Sequence, residues 1–148
     1  MAVTAGQVSR FLRDYPEYNI LLDNVQFEEE DITDATKFAL GEFNAMAPIT
    51  SYTDTNFPND WVLLLGITAH LLMSETFLQI RNQVNYNDGD VERIGIDDKF
   101  AAYKGLSDGI KNDWKTTAQK LKQQINMEQC YGSLSSGYRY IKPGYRNW

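Results

Sequence analysis

Cysteine and histidine are almost missing from this sequence of 148 residues, since Cys130 and His70 are the only examples of each. A single cysteine cannot form a disulfide within the chain, and this scarcity fits a reducing compartment. Zinc sites and thiol redox pairs need more cysteine or histidine ligands, so the sequence predicts neither. Because 43% of the residues are hydrophobic and 13% are aromatic, the fold can depend on a packed core instead.

Catalytic and cofactor-binding motifs are missing as well. The chain contains no phosphate-binding loop and no dinucleotide-binding glycine pattern. His70 and Ser74 are four residues apart and would share a helical face, but no oxyanion-binding arrangement accompanies them. We therefore interpret His70 as a hydrogen-bonded core residue. Glu75 could be an acid with a tuned pKa, but a structural pair or a subunit contact is the favoured interpretation. The sequence predicts no enzyme, no catalytic residue and no cofactor.

Acidic residues cluster at 28–31 and Asp34, where they could bind a hard cation. Such a run at the start of a helix is more typical of solvated side chains that complement the helix dipole. Gly89 does not belong to an EF-hand loop either, because Val84 and Tyr86 would occupy its first two ligand positions. We predict no metal site.

Charge is distributed unevenly along the chain, whose net charge is -6. Residues 14–60 contain eleven acidic residues and only one base, Lys37. Residues 131–148 contain no acidic residue and three basic ones, Arg139, Lys142 and Arg146. A negative total disfavours a general nucleic-acid binder, whereas an acidic body with a basic end can attract another copy of itself.

Apolar residues spaced three and four apart predict four helices. The first is short: it starts after Thr4, which forms a capping-box pattern with Gln7, and Pro16 ends it. The other three are predicted at about 28–46, 58–84 and 97–127, and in the second helix Phe38 is one of the regularly spaced residues of the predicted apolar face. The third should be central, because the stretch Trp61–Met73 is apolar in nearly every direction. That stretch is also shorter than the ~20 residues that span a bilayer.

Glycines mark two further features. Asp88-Gly89 lies between apolar residues and predicts a small β-hairpin at 84–96. Gly105 and Gly109 weaken the last helix, so we expect either a bend there or a closely packed neighbour. The predicted fold is therefore all-α, a compact bundle of about four helices around a buried central helix in a domain of residues 1–130.

The C-terminal tail, residues 131–148, is rich in glycine, serine and aromatic residues, and Pro143 blocks regular structure there. We expect an extended segment that anchors the protein on a partner, because tyrosine, tryptophan and arginine dominate interface hot spots. A frayed terminus and a nucleic-acid-stacking segment with only three charges remain the alternatives. The predicted partner-binding residues are Tyr138, Arg139, Tyr140, Ile141, Lys142, Tyr145, Arg146 and Trp148.

Two stretches, QIRNQVNYNDGD and INMEQCYGSLSSGY, resemble virion structural proteins of tailed bacteriophages. The order of elements is similar to that of the head-to-tail connector adaptors, small helical proteins that form a ring below the portal. The resemblance implies a ring of about twelve subunits around the DNA channel, with the tail docked into the portal. Double-stranded DNA would pass through without sequence-specific binding, beside the acidic surface between Asp14 and Asp60, which would line or flank the channel.

The resemblance thus implies a structural subunit that joins capsid to tail and contacts the portal and other neck or tail proteins. It would act at the head-tail interface of the virion after assembly in the host cytoplasm, without a membrane. Another virion assembly subunit, such as a tail-completion or baseplate protein, is the first alternative. A small helical nucleic-acid-binding or regulatory protein is the second.

Overall fold

A computed structural model describes residues 3–19, 24–81 and 99–131. These ranges contain four helices, α1 (Ala5–Leu12), α2 (Glu29–Ala45), α3 (Asp60–Arg81) and α4 (Lys99–Tyr131). No strand occurs within them, so the all-α prediction is confirmed, whereas the hairpin predicted at 84–96 lies outside the described residues. Tyr131, the first residue of the predicted C-terminal tail, belongs to α4, and the rest of that tail lies outside the described residues.

The start of α1 follows the predicted capping pattern, since the backbone N–H of Thr4 donates to Gln7 Oε1 at 2.9 Å. The helix ends before Pro16, because Arg13 adopts a left-handed conformation with φ 55°. Asp14 then turns inward and is buried. Its carboxylate accepts hydrogen bonds from Asn19 Nδ2 and from the backbone N–H groups of residues 26 and 27, which ties the loop after α1 to the start of α2.

The first half of α3 forms the centre of the domain and packs against both α2 and α4. α2 contributes one buried face to this core, and α4 contributes Trp114 and Ala118. The fully or nearly fully enclosed apolar residues of the core are Val8, Ile32, Ala35, Ala39, Phe43, Phe57, Val62, Leu63, Ile67, Leu71, Trp114 and Ala118. The prediction of a central third helix is therefore confirmed for residues 62–72.

Gly66 makes the close approach of α3 and α4 possible. A Cβ atom at this position would lie 2.7 Å from Trp114 Nε1 and 3.1 Å from the Cβ of Ala39. The indole of Trp114 therefore occupies the space that the side chain of any residue other than glycine at position 66 would need. Gly105 and Gly109 behave differently, since a Cβ atom at either would meet nothing within 4 Å among the described residues. Of the two alternatives expected for these glycines, the closely packed neighbour is therefore not found in the described ranges, and the bend stays a prediction.

α4 runs antiparallel to α3. Lys111 Nζ lies 3.5 Å from Met73 Sδ, while Trp114 lies against Gly66, so higher numbers in α4 meet lower numbers in α3. Beyond Lys122 the helix continues to Tyr131, and its residues 126–130 are exposed. The end of α4 therefore extends past the core at the end of the domain where α3 begins.

α3 is the one helix of the described ranges that is long and apolar enough to cross a membrane. This test considers only the length and the hydropathy of a helix, and a helix in the core of a domain can also pass it. Here the side chains of Leu63, Ile67 and Leu71 are buried inside the domain. Their burial accounts for the high hydropathy of the first half of the helix.

Candidate assembly surface

The second half of α3 and the first half of α2 form a groove, which we call the α2–α3 groove. It has a volume of about 470 Å³. Large apolar side chains line it and remain exposed, with Phe38 62%, Phe77 60% and Leu78 40% exposed. The sequence pattern placed Phe38 on the buried face of α2, and the structure contradicts this. Exposed apolar side chains gathered at one place are typical of an interaction surface.

Glu75 lines the same groove and is only 5% exposed. Its Oε1 atom accepts a hydrogen bond of 2.6 Å from Gln79 Nε2, one turn later in α3. No lysine, arginine or histidine of the described ranges forms an ion pair with it. Carboxylates are rarely so buried without a cationic partner, because removal from water is costly. The groove therefore contains a buried carboxylate that has no cationic partner in the described ranges.

Acidic residues predominate among the charged groups around the groove. Asp31 and Asp34 line it from α2, Glu75 lies within it, and Arg81 stands at the end of α3. Asp31 Oδ2 accepts the backbone N–H of Glu28, and Asp34 is paired at 2.8 Å with the exposed Lys37. This part of the surface therefore carries more acidic than basic side chains.

His70 lies at the inner edge of the groove, between the rings of Phe38 and Trp114. Its Nε2 atom is 3.3 Å from Glu42 Oε2, but the geometry is not that of a hydrogen bond and the nitrogen is otherwise unpartnered in the described ranges. The predicted hydrogen-bonded core histidine is therefore largely buried, without the expected hydrogen bond.

Burial lowers the pKa of His70 below its ordinary value, and the nearby Lys111 lowers it further, while Glu42 acts in the opposite direction. Glu42 is also contacted by Lys115 Nζ at 3.7 Å. Ser74 is exposed on the next turn of α3 and forms no hydrogen bond with His70 within the described ranges.

Lys122 is a buried cation that the sequence pattern missed. It is 2% exposed, and its Nζ donates to the carbonyl oxygens of Met46 and Pro48 at 2.7 and 2.8 Å and to Thr50 Oγ1 at 3.0 Å. The same ammonium lies 4.7 Å from the centroid of the Phe43 ring. Burial lowers the pKa of Lys122. This contact joins α4 to the chain that leaves α2, so its role is structural.

A second apolar patch lies at the opposite end of α3. The ring of Trp61, expected in the core, is 52% exposed and packs edge-on against Phe11 at 5.6 Å between centroids. Val3 and Leu64 complete this patch around a depression of about 440 Å³. At ~1.5 Å per residue, Trp61 and Phe77 are separated by roughly 24 Å along the helix, so the two patches are distinct.

The predicted partner-binding residues Tyr138 to Trp148 lie outside the described residues. The acidic residues at 28–31 and Asp34 are exposed at the start of α2, as predicted for a solvated helix end, and the described ranges hold no cluster of three metal ligands. Asp14 is an exception to the predicted acidic surface, because it is buried.

The burial of Lys122 could have been predicted from its spacing. Lys122 lies four residues after Ala118, which lies four residues after Trp114, so all three share one face of the helix.

Comparison with known proteins does not assign the chain to a family. No protein-family model matches the chain, and neither a curated protein nor a solved structure is significantly similar to it.

Proposed function

We propose that this protein is a structural subunit of the ring that joins the head and tail of a tailed bacteriophage, below the portal. The C-terminal tail is its anchor in the assembly, and the helical domain forms the body of the ring. The chain does not act as an enzyme in this proposal. It works in the virion, and the host cytoplasm is where it assembles.

One observation carries the assembly role, the presence of two separate exposed apolar patches on one small domain. The α2–α3 groove and the patch around Trp61 lie at opposite ends of α3. A ring of identical subunits needs two different surfaces on each copy, because each subunit contacts one neighbour with one surface and the next neighbour with the other. Two distinct patches of this kind meet that requirement. The connector position itself rests on the resemblance of QIRNQVNYNDGD and INMEQCYGSLSSGY.

Native mass measurement tests this proposal, on the full-length chain alone and after mixing with the portal protein of the same virus. We expect a closed species of about twelve copies, formed alone or on the portal. A complex with tail proteins but not with the portal would favour a tail-completion or baseplate subunit. A protein that stays monomeric in both cases and binds double-stranded DNA at physiological salt would contradict the proposal and favour a regulatory protein.

Three variants test the C-terminal tail as the anchor. Tyr140→Ala, Trp148→Ala and Arg139→Glu should each weaken assembly, because removing a hot-spot side chain costs about 2 kcal/mol or more, roughly thirtyfold in affinity. Ser135→Ala, in the same segment, is the matched control and should assemble normally. If all three variants assemble like Ser135→Ala, the tail is not the anchor.

A further inference from the structure

We propose that the α2–α3 groove is the docking site for the C-terminal tail of a second copy of this chain, with Glu75 receiving one of the tail's basic side chains. The inference rests on the proposed assembly function and names the occupant of one of its two surfaces.

Glu75 supplies the first argument, because it is a buried carboxylate with no cationic partner among the residues that the structure describes. Within the same ranges its one side-chain hydrogen bond comes from Gln79. A guanidinium or ammonium group entering the groove would add charge-assisted hydrogen bonds to it. The exposed rings of Phe38 and Phe77 stand beside Glu75 in the same groove. A ligand that combines a basic head with aromatic neighbours therefore fits both parts of the site.

Charge complementarity selects the C-terminal tail among the segments of this chain that lie outside the described ranges. Residues 82–98 contain five acidic residues and one base, Arg93, so the acidic groove repels them. Residues 132–148 contain three bases and no acid, and tyrosines flank the first base as Tyr138-Arg139-Tyr140. The tail thus offers the alternation of basic and aromatic groups that the groove requires.

The direction of α4 selects a second copy rather than the same chain. Lys111 lies beside Met73, at the level of the groove. From there α4 continues to Tyr131, which at ~1.5 Å per residue carries the chain roughly 30 Å away from the groove. The tail therefore starts beyond the opposite end of the domain, where it can reach a neighbouring subunit. Such a head-to-tail contact closes into a ring when the rotation between copies allows it.

The variant Glu75→Gln separates docking from a structural role. Gln keeps the size of the side chain and its contact with Gln79 but removes the charge that the tail recognises. We expect self-association of the full-length chain to weaken roughly tenfold or more, with no loss of thermal stability, because the free subunit no longer buries an unpaired carboxylate. Glu128→Gln, on the exposed end of α4, is the matched control. A lower melting temperature with unchanged association would show that Glu75 is only structural.

Disulfide cross-linking identifies the occupant. In a Cys130→Ser background, one preparation carries Leu78→Cys and a second, distinguishable by mass, carries Ser136→Cys. We expect cross-links between the two preparations, and none when Asn112→Cys on α4 replaces Leu78→Cys. A further preparation carries Leu78→Cys and Ser136→Cys in the same chain. If cross-links form only within single chains of that preparation, the groove is occupied by the chain's own tail, and the inference is overturned.

Two other outcomes separate this inference from the proposed function. If rings form, but Glu75→Gln assembles normally and Ser136→Cys cross-links only to the portal, the inference fails and the connector function stands. If the wild-type chain is monomeric alone and with the portal, both fail.

Discussion

The two halves of α3 differ in composition and in surroundings: eight of the eleven residues 62–72 are hydrophobic, against four of the nine residues 73–81. Between Val62 and Leu72 the helix lies between α2 and α4 and forms the core. From Met73 to Arg81 the helix is flanked by the α2–α3 groove, and Phe77, Leu78 and Ile80 are substantially exposed. The apolar residues of the first half therefore stabilise the fold, whereas those of the second half are exposed on the surface, where another protein could contact them.

The same substitution in the two halves gives the largest contrast in stability. Leu71→Ala removes a side chain that is 2% exposed and should cost about 2 to 5 kcal/mol of the free energy of unfolding. Leu78→Ala, two turns later, should cost less than about 1 kcal/mol. Urea denaturation of both variants measures the difference. Equal losses would show that the second half of α3 is as firmly packed as the first.

Substitution of Lys122, which also lies in the packed region, should lower the free energy of unfolding by a smaller amount. Lys122→Met keeps most of the side-chain volume but leaves the carbonyl oxygens of Met46 and Pro48 without their donor. Loss of these partly buried hydrogen bonds should cost about 1 to 3 kcal/mol, partly offset because a buried cation is removed. The control is Lys120→Met on the exposed face of α4, which should be nearly neutral. Thermal denaturation that gives the same melting temperature for both variants would contradict this account of Lys122.

The smallest effect concerns His70, at the boundary between the two regions. Because burial lowers its pKa, the unfolded chain binds a proton near the ordinary histidine pKa of about 6.5 while the folded protein does not. Stability should therefore fall as the pH decreases from about 6.5 towards the lower pKa of the folded state. His70 is the one histidine of the chain, so His70→Gln should remove this part of the pH dependence. A decrease of the same size in both proteins would show that His70 is not its source.

The sequence predicted the helices better than it predicted which faces are covered. Apolar spacing located α2 and α3 to within a few residues, because one helical face must be buried for the helix to be stable. Phe38 and Trp61 were misplaced because both are apolar residues within apolar helical patterns, yet each is more than half exposed. Whether a neighbouring helix covers such a residue depends on how the helices pack, and the spacing of residues within one helix does not give that information.

Polar residues in the interior were harder still to predict. Asp14 and Lys122 have residue types that normally face water, and each is buried because backbone groups distant in sequence satisfy its charge. Glu75 was predicted to be either a structural pair or a subunit contact. The structure places it in the α2–α3 groove with Gln79 as its one partner in the described ranges.

The central claim, that the second half of α3 is an assembly surface, is tested most directly by the native mass of the double variant Phe38→Ser/Phe77→Ser. Both side chains are exposed in the free subunit, so the variant should keep the wild-type melting temperature. We predict that the wild-type chain forms a multi-subunit species under conditions in which this variant remains a monomer. A variant that assembles like the wild type would contradict the claim.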